Sequence, residues 1–93
     1  MDAGFHDIIF SKLNLSKEQV LDEIALLSAH QKLSEFTMEV EFFEEKYAKS
    51  FDSFEKDFRK KSASLSTEND WMAWKFAIEG KQYWINLIQA TQK

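Results

Sequence analysis

The chain has no cysteine, no proline and only two glycines among its 93 residues. Without cysteine it can build no disulfide framework, no thiolate metal site and no thiol nucleophile, which argues against a small secreted scaffold and for a reducing, cytoplasmic setting. The two glycines, Gly4 and Gly80, are too few and too far apart for a phosphate-binding or oxyanion loop. Long apolar runs are missing as well. Ile8-Ile9-Phe10 and Ile24-Ala25-Leu26-Leu27 fall far short of the ~20 residues of a membrane span. Asp2 and Asp7 leave the N-terminus without the basic region of a signal segment. A chain of this length makes one domain, residues 1–93, expected to bury roughly 60–65% of its unfolded surface, with no room for a two-domain cleft.

Positive charge is in the minority: 12 Lys+Arg face 16 Asp+Glu, for a net charge of -4. Lys46, Lys49, Lys56, Arg59, Lys60 and Lys61 do interleave with Tyr47, Phe51, Phe54 and Phe58, but Asp52, Glu55 and Asp57 share the segment. Base-edge readout leans on arginine and Arg59 stands alone, so autonomous nucleic-acid binding is not expected. Catalytic and metal-binding patterns are equally sparse. His30 has no carboxylate three or four residues away, and His6 has only Asp2. No Glu stands three residues before a His, the signature of a carboxylate-bundle metal site. Glu35, Glu39, Glu41, Glu44 and Glu45 read as the solvated face of a helix. Neither an enzyme nor a cofactor or metal carrier is expected.

Periodicity supplies the fold class, an all-α hairpin or bundle. Ser16-Lys17-Glu18-Gln19 has capping-box form, with Leu15 and Val20 at staple positions. Beyond it Leu33, Phe36, Val40, Phe43 and Tyr47 recur at spacings of 3 and 4, a helical seam that extends back through Ala29 and Leu26. Val20, Ile24 and Leu27 lie on an adjoining stripe, and a register shift is expected near His30-Gln31-Lys32. A helix over 17–48 would be about 48 Å long and needs a partner along its length. Phe51, Phe54 and Phe58 mark one face of a short helix over 51–61, with Asp52 near its start and Arg59-Lys60-Lys61 near its end, as the helix dipole favours. Ser62 to Ser66 reads as a loop, and Ser66 or Thr67 as the cap of a third helix over 68–91, carrying Trp71, Trp74, Ile78, Ile85 and Ile88 on its apolar stripe. Gly80 inside that helix costs about 1 kcal/mol relative to Ala, which predicts a close approach of another backbone or a weak point. Asp2 would cap a short amphipathic helix carrying Phe5, Ile8, Ile9 and Leu13 within an N-terminal segment over 1–15.

The unusual feature is the aromatic load of nine Phe, three Trp and two Tyr. Each such side chain buries roughly 150–250 Å², so a small bundle cannot hide them all. Some are expected to be exposed or at an interface, which favours a partner-binding or self-associating surface.

Two segments carry a resemblance: Glu45-Lys46-Tyr47-Ala48-Lys49-Ser50-Phe51-Asp52-Ser53-Phe54-Glu55-Lys56-Asp57-Phe58, and Glu68-Asn69-Asp70-Trp71-Met72-Ala73-Trp74-Lys75. They resemble a family of short helical prokaryotic proteins. In that family a Glu-rich helix ends in a Lys-Tyr-Gly-like corner, a Phe-x-x-Phe helix follows, and a last helix opens with Asp-Trp-x-x-Trp. The resemblance spans residues 33 to 90 and implies the antitoxin half of a toxin-antitoxin pair, which neutralises a neighbouring toxin by direct binding. It implies partner contacts through Phe51, Phe54, Phe58, Trp71, Trp74, Lys75 and Ile78. One of the two tryptophans is expected to anchor the fold, and Trp74 to meet the partner. Ala48 departs from the pattern, standing where the family has glycine. The alternative is a homo-oligomeric scaffold or adaptor whose aromatics form a dimer core.

Overall fold

A computed structural model describes residues 8–9, 11–12, 16–60, 62 and 64–91. Three helices carry the fold: Lys17–Tyr47 (α1), Phe51–Lys60 (α2) and Leu65–Thr91 (α3). No strand occurs among the described residues. Helix α1 starts at the predicted capping box. The Gln19 amide donates to Ser16 Oγ at 3.1 Å, and the Ser16 amide donates to Gln19 Oε1 at 2.8 Å. Leu15, its expected staple residue, lies outside the described residues, as do Asp2, Phe5 and Leu13. Ile8 and Ile9 have helical backbone and are exposed.

Helix α1 stops because Ala48 adopts the left-handed conformation, with φ 54 and ψ 38. Ser50 then caps α2, its hydroxyl accepting from the Ser53 amide at 3.2 Å and its carbonyl from the Phe54 amide at 3.0 Å. The start of α3 differs from expectation. Ser64, not Ser66 or Thr67, is the cap: its hydroxyl accepts from the Thr67 amide at 3.1 Å, and Leu65 and Ser66 are already helical. Leu65 is 72% exposed, so the first turn of α3 carries no apolar signal that periodicity could detect.

The two long helices pack antiparallel. Asp70 meets Tyr47, Trp74 meets Phe43 and Gly80 meets Phe36, each step along α3 matching a step back along α1. Continuing this register brings Ile88 and Thr91 level with Ala29 and Leu26, which line one groove with them. The seam therefore runs unbroken from Leu26 to Tyr47, and the expected shift near His30 does not occur. Ile24 and Leu27, 52% and 62% exposed, form a separate stripe on the far side of α1. Gly80 admits a side chain and not a backbone: a Cβ there would lie 2.6 Å from the Phe36 ring.

The shape is extended, 62 × 33 × 17 Å, with a radius of gyration of 19.9 Å where a compact chain of this length would have about 12 Å. Its accessible surface is 7308 Å², against roughly 5,600 Å² for a compact monomer of its mass. Little more than half of the roughly 16,000 Å² of the unfolded chain is buried, less than its length predicts. The reason is the hairpin arrangement. Two long helices lie side by side with one short helix at one end, so each long helix is covered along one side and wet along the rest, and the shortest extent of the molecule is 17 Å.

Candidate functional site

Most of the buried aromatic surface gathers where the three helices meet. Trp74 lies at the centre and is fully enclosed. Phe43 and Tyr47 of α1 stack on it at 5.6 and 5.8 Å between ring centroids, Phe54 of α2 tilts against it at 5.1 Å, and Phe51 presents an edge at 5.3 Å. Aromatic pairs in such geometries contribute about 0.5–1.5 kcal/mol each beyond area burial. The Trp74 Nε1–H has no acceptor among the described residues, and an unpaired buried donor costs about 1–3 kcal/mol. The cluster tolerates that cost because the indole fills the space at which all three helices converge.

Trp71 occupies the rim. Its ring lies parallel to Phe58, 5.3 Å between centroids and 2° between planes, and Lys75 Nζ stands over it at 5.2 Å. The Trp71 Nε1–H donates to Glu55 Oε2 at 3.0 Å, and Arg59 Nη2 reaches the same oxygen at 3.4 Å. A salt bridge from Lys49 to Asp57, 2.7 Å, ties the α1 corner to α2. Polar contacts thus hold α2 from both sides, while Phe54 holds it from within.

Asp70, at the start of α3, closes the node toward α1. Its Oδ2 accepts from Lys46 Nζ at 2.6 Å and from the Tyr47 hydroxyl. Hydrogen bonds from Lys46 and Tyr47 hold the Asp70 carboxyl below its ordinary value. Burial, reinforced by the Asp70 carboxylate, pushes the Tyr47 phenol up to about 12. A neutral phenol donating to a charged carboxylate is thereby the state the fold selects.

The residues implied by the resemblance come together here, in unequal roles. Phe54 and Trp74 are buried, Phe51, Phe58, Trp71 and Ile78 are half-buried, and Lys75 is exposed. Trp74, expected to meet the partner, is instead the enclosed anchor of the fold, while Trp71 is half-buried at the rim. Residue spacing places both on one face of α3, but only the packing of Phe43 and Tyr47 decides which is covered. Sequence reasoning missed Asp70 and Glu55 as ties between helices. Asp70 stands four residues before Trp74, on the same helical face, which was the available signal.

Away from the node, α1 and α3 leave a groove of about 630 Å³ lined by Ala25, Leu26, Ala29, Trp84, Leu87 and Ile88, with Asp22 and Thr91 at its edge. No group of three or more His, Cys, Asp or Glu that could hold a metal occurs among the described residues. No described helix is long and apolar enough to cross a membrane. Comparison of the chain with protein-family models, curated proteins and solved structures finds no match.

Proposed function

We propose that the chain is a protein-binding helical module whose node end docks on a cognate partner, in the manner of an antitoxin that neutralises a toxin by covering its working surface. One observation carries this reading: the two segments that bear the resemblance, separated along the chain, converge on a single node whose rim of Phe51, Phe58, Trp71, Lys75 and Ile78 stays accessible. A rim of this kind, held in place by an enclosed anchor, supplies aromatic contact area at low ordering cost, as binding hot spots require.

The test is co-expression with the adjacent open reading frame, followed by affinity capture and a growth assay. Trp71→Ala and Lys75→Glu should leave a folded helical protein, yet lose capture and rescue. Truncating an aromatic anchor typically costs about 2 kcal/mol or more of binding energy. A harmless neighbouring gene product, or rim variants that still rescue, would remove the toxin-binding reading. The scaffold reading then takes its place, and the exposed apolar side chains of both long helices favour it.

A further inference from the structure

One flank of α3 carries a second apolar surface that the node does not use, beside the α1 seam, where Phe76 meets Phe36 edge-on at 5.7 Å and Leu87 lines the groove. Met72, Phe76, Tyr83 and Leu87 lie on one helical stripe, at spacings of 4, 7 and 4, and are 58%, 64%, 59% and 39% exposed. At 100° per residue the centre of the stripe lies about 130° from Trp71 and about 150° from Ile78, so it is separate from the rim. Its spacing is palindromic. Phe76 and Tyr83 are equidistant from the Glu79-Gly80 peptide, and so are Met72 and Leu87.

We propose that this stripe binds a second copy of the chain, antiparallel, about a two-fold axis passing through Glu79-Gly80. A two-fold interface requires one patch to be complementary to itself when reversed, which this order of residues provides: Phe76 faces Tyr83 and Met72 faces Leu87 across the axis. The area agrees. With 150–250 Å² buried by side chains of this size, the four leave roughly 450 Å² per copy and roughly 900 Å² over two. That approaches the ~1,000 Å² of a specific interface, and exposed flanking residues of the same helix, such as Glu79, would supply the remainder. The exposed stripe of α1 is a weaker candidate, because Gln31, Ser34 and Glu35 interrupt it between Leu27 and Met38. The α3 interface does not depend on the toxin-like partner, and each fails separately: this one in the free protein, the other in co-expression.

The experiment is sedimentation of the full chain at tens of micromolar, with cysteine cross-linking on a background that has no native cysteine. The wild type should sediment as a dimer, and Met72→Lys with Tyr83→Lys as a monomer of unchanged helical content. Glu79→Cys, next to the axis, should oxidise to a covalent dimer. Leu65→Cys should not, because its two copies would stand roughly 43 Å apart. A monomer at hundreds of micromolar overturns the proposal. So does cross-linking through Phe42→Cys in place of Glu79→Cys, which would assign the interface to α1, or equal cross-linking at Leu65→Cys, which would make the pair parallel. If the lysine variants lose helix, the cysteine comparison decides alone.

Discussion

Ala48 holds a backbone conformation that costs an L-residue about 1–2 kcal/mol, and it does so where the chain must leave α1 and enter α2 within three residues. Ala48→Gly should therefore raise stability by about 1 kcal/mol, the gain being trimmed by the extra freedom of glycine in the unfolded chain. Thermal melting should record this as an upward shift of about 4–8 °C for a domain of this size. Gly80 is the reverse case. Gly80→Ala would gain about 1 kcal/mol of helix propensity. Its Cβ would nevertheless fall 2.6 to 2.8 Å from three atoms of a Phe36 ring that packs edge-on against Phe76 at 5.7 Å. A net loss of about 1–3 kcal/mol is expected, and Phe36→Leu in the same chain should recover much of it in urea titrations. The Asp70 cluster sets a pH window. Asp70 is held low, so its contribution is complete above the usual carboxylate range near 4 and is lost as pH falls through its folded value. Tyr47 is held high, so its contribution is complete below about 10 and is lost as pH rises toward about 12. Asp70→Asn should be less stable than wild type at pH 7, and the gap between their urea midpoints should shrink on acidification below pH 4.

Helix α2 is too short to persist alone, since isolated helices below about 12–15 residues are marginal in water. It survives because Phe54 enters the node while Glu55 and Asp57 are held from α3 and from Lys49. Trp74→Ala should then cost about 3–5 kcal/mol and dismantle the node. Trp71→Ala should cost less and act chiefly on α2, visible as faster hydrogen exchange there with α1 unchanged. Element existence was legible in the sequence because caps and apolar period are local: the Ser16 box and the seam through Leu33, Phe36, Val40 and Phe43 need no knowledge of the partner helix. The start of α3 was hidden by an exposed Leu65. The apparent register shift arose because Ile24 and Leu27 are apolar without being core. The roles of Trp71 and Trp74 depended on contacts across roughly thirty residues of chain, which spacing within one helix cannot supply.

At the scale of the whole molecule, the long helices meet along one seam and have solvent on their outer sides. Among the described residues the buried ones accordingly follow that seam, from Val40 and Phe43 through Trp74 and Ala77 to Ile88, with Phe54 entering from α2. The large accessible surface of 7308 Å² also governs how the protein responds to temperature. Heat capacity rises on unfolding in proportion to newly wetted apolar surface, and a typical chain of this length would show about 1.1–1.4 kcal/mol/K. So much surface is already wet in the folded monomer that calorimetry under monomeric conditions should give a value below that range. The free-energy curve would be correspondingly shallow, with stability changing little across tens of degrees and the cold-denaturation limit pushed further down.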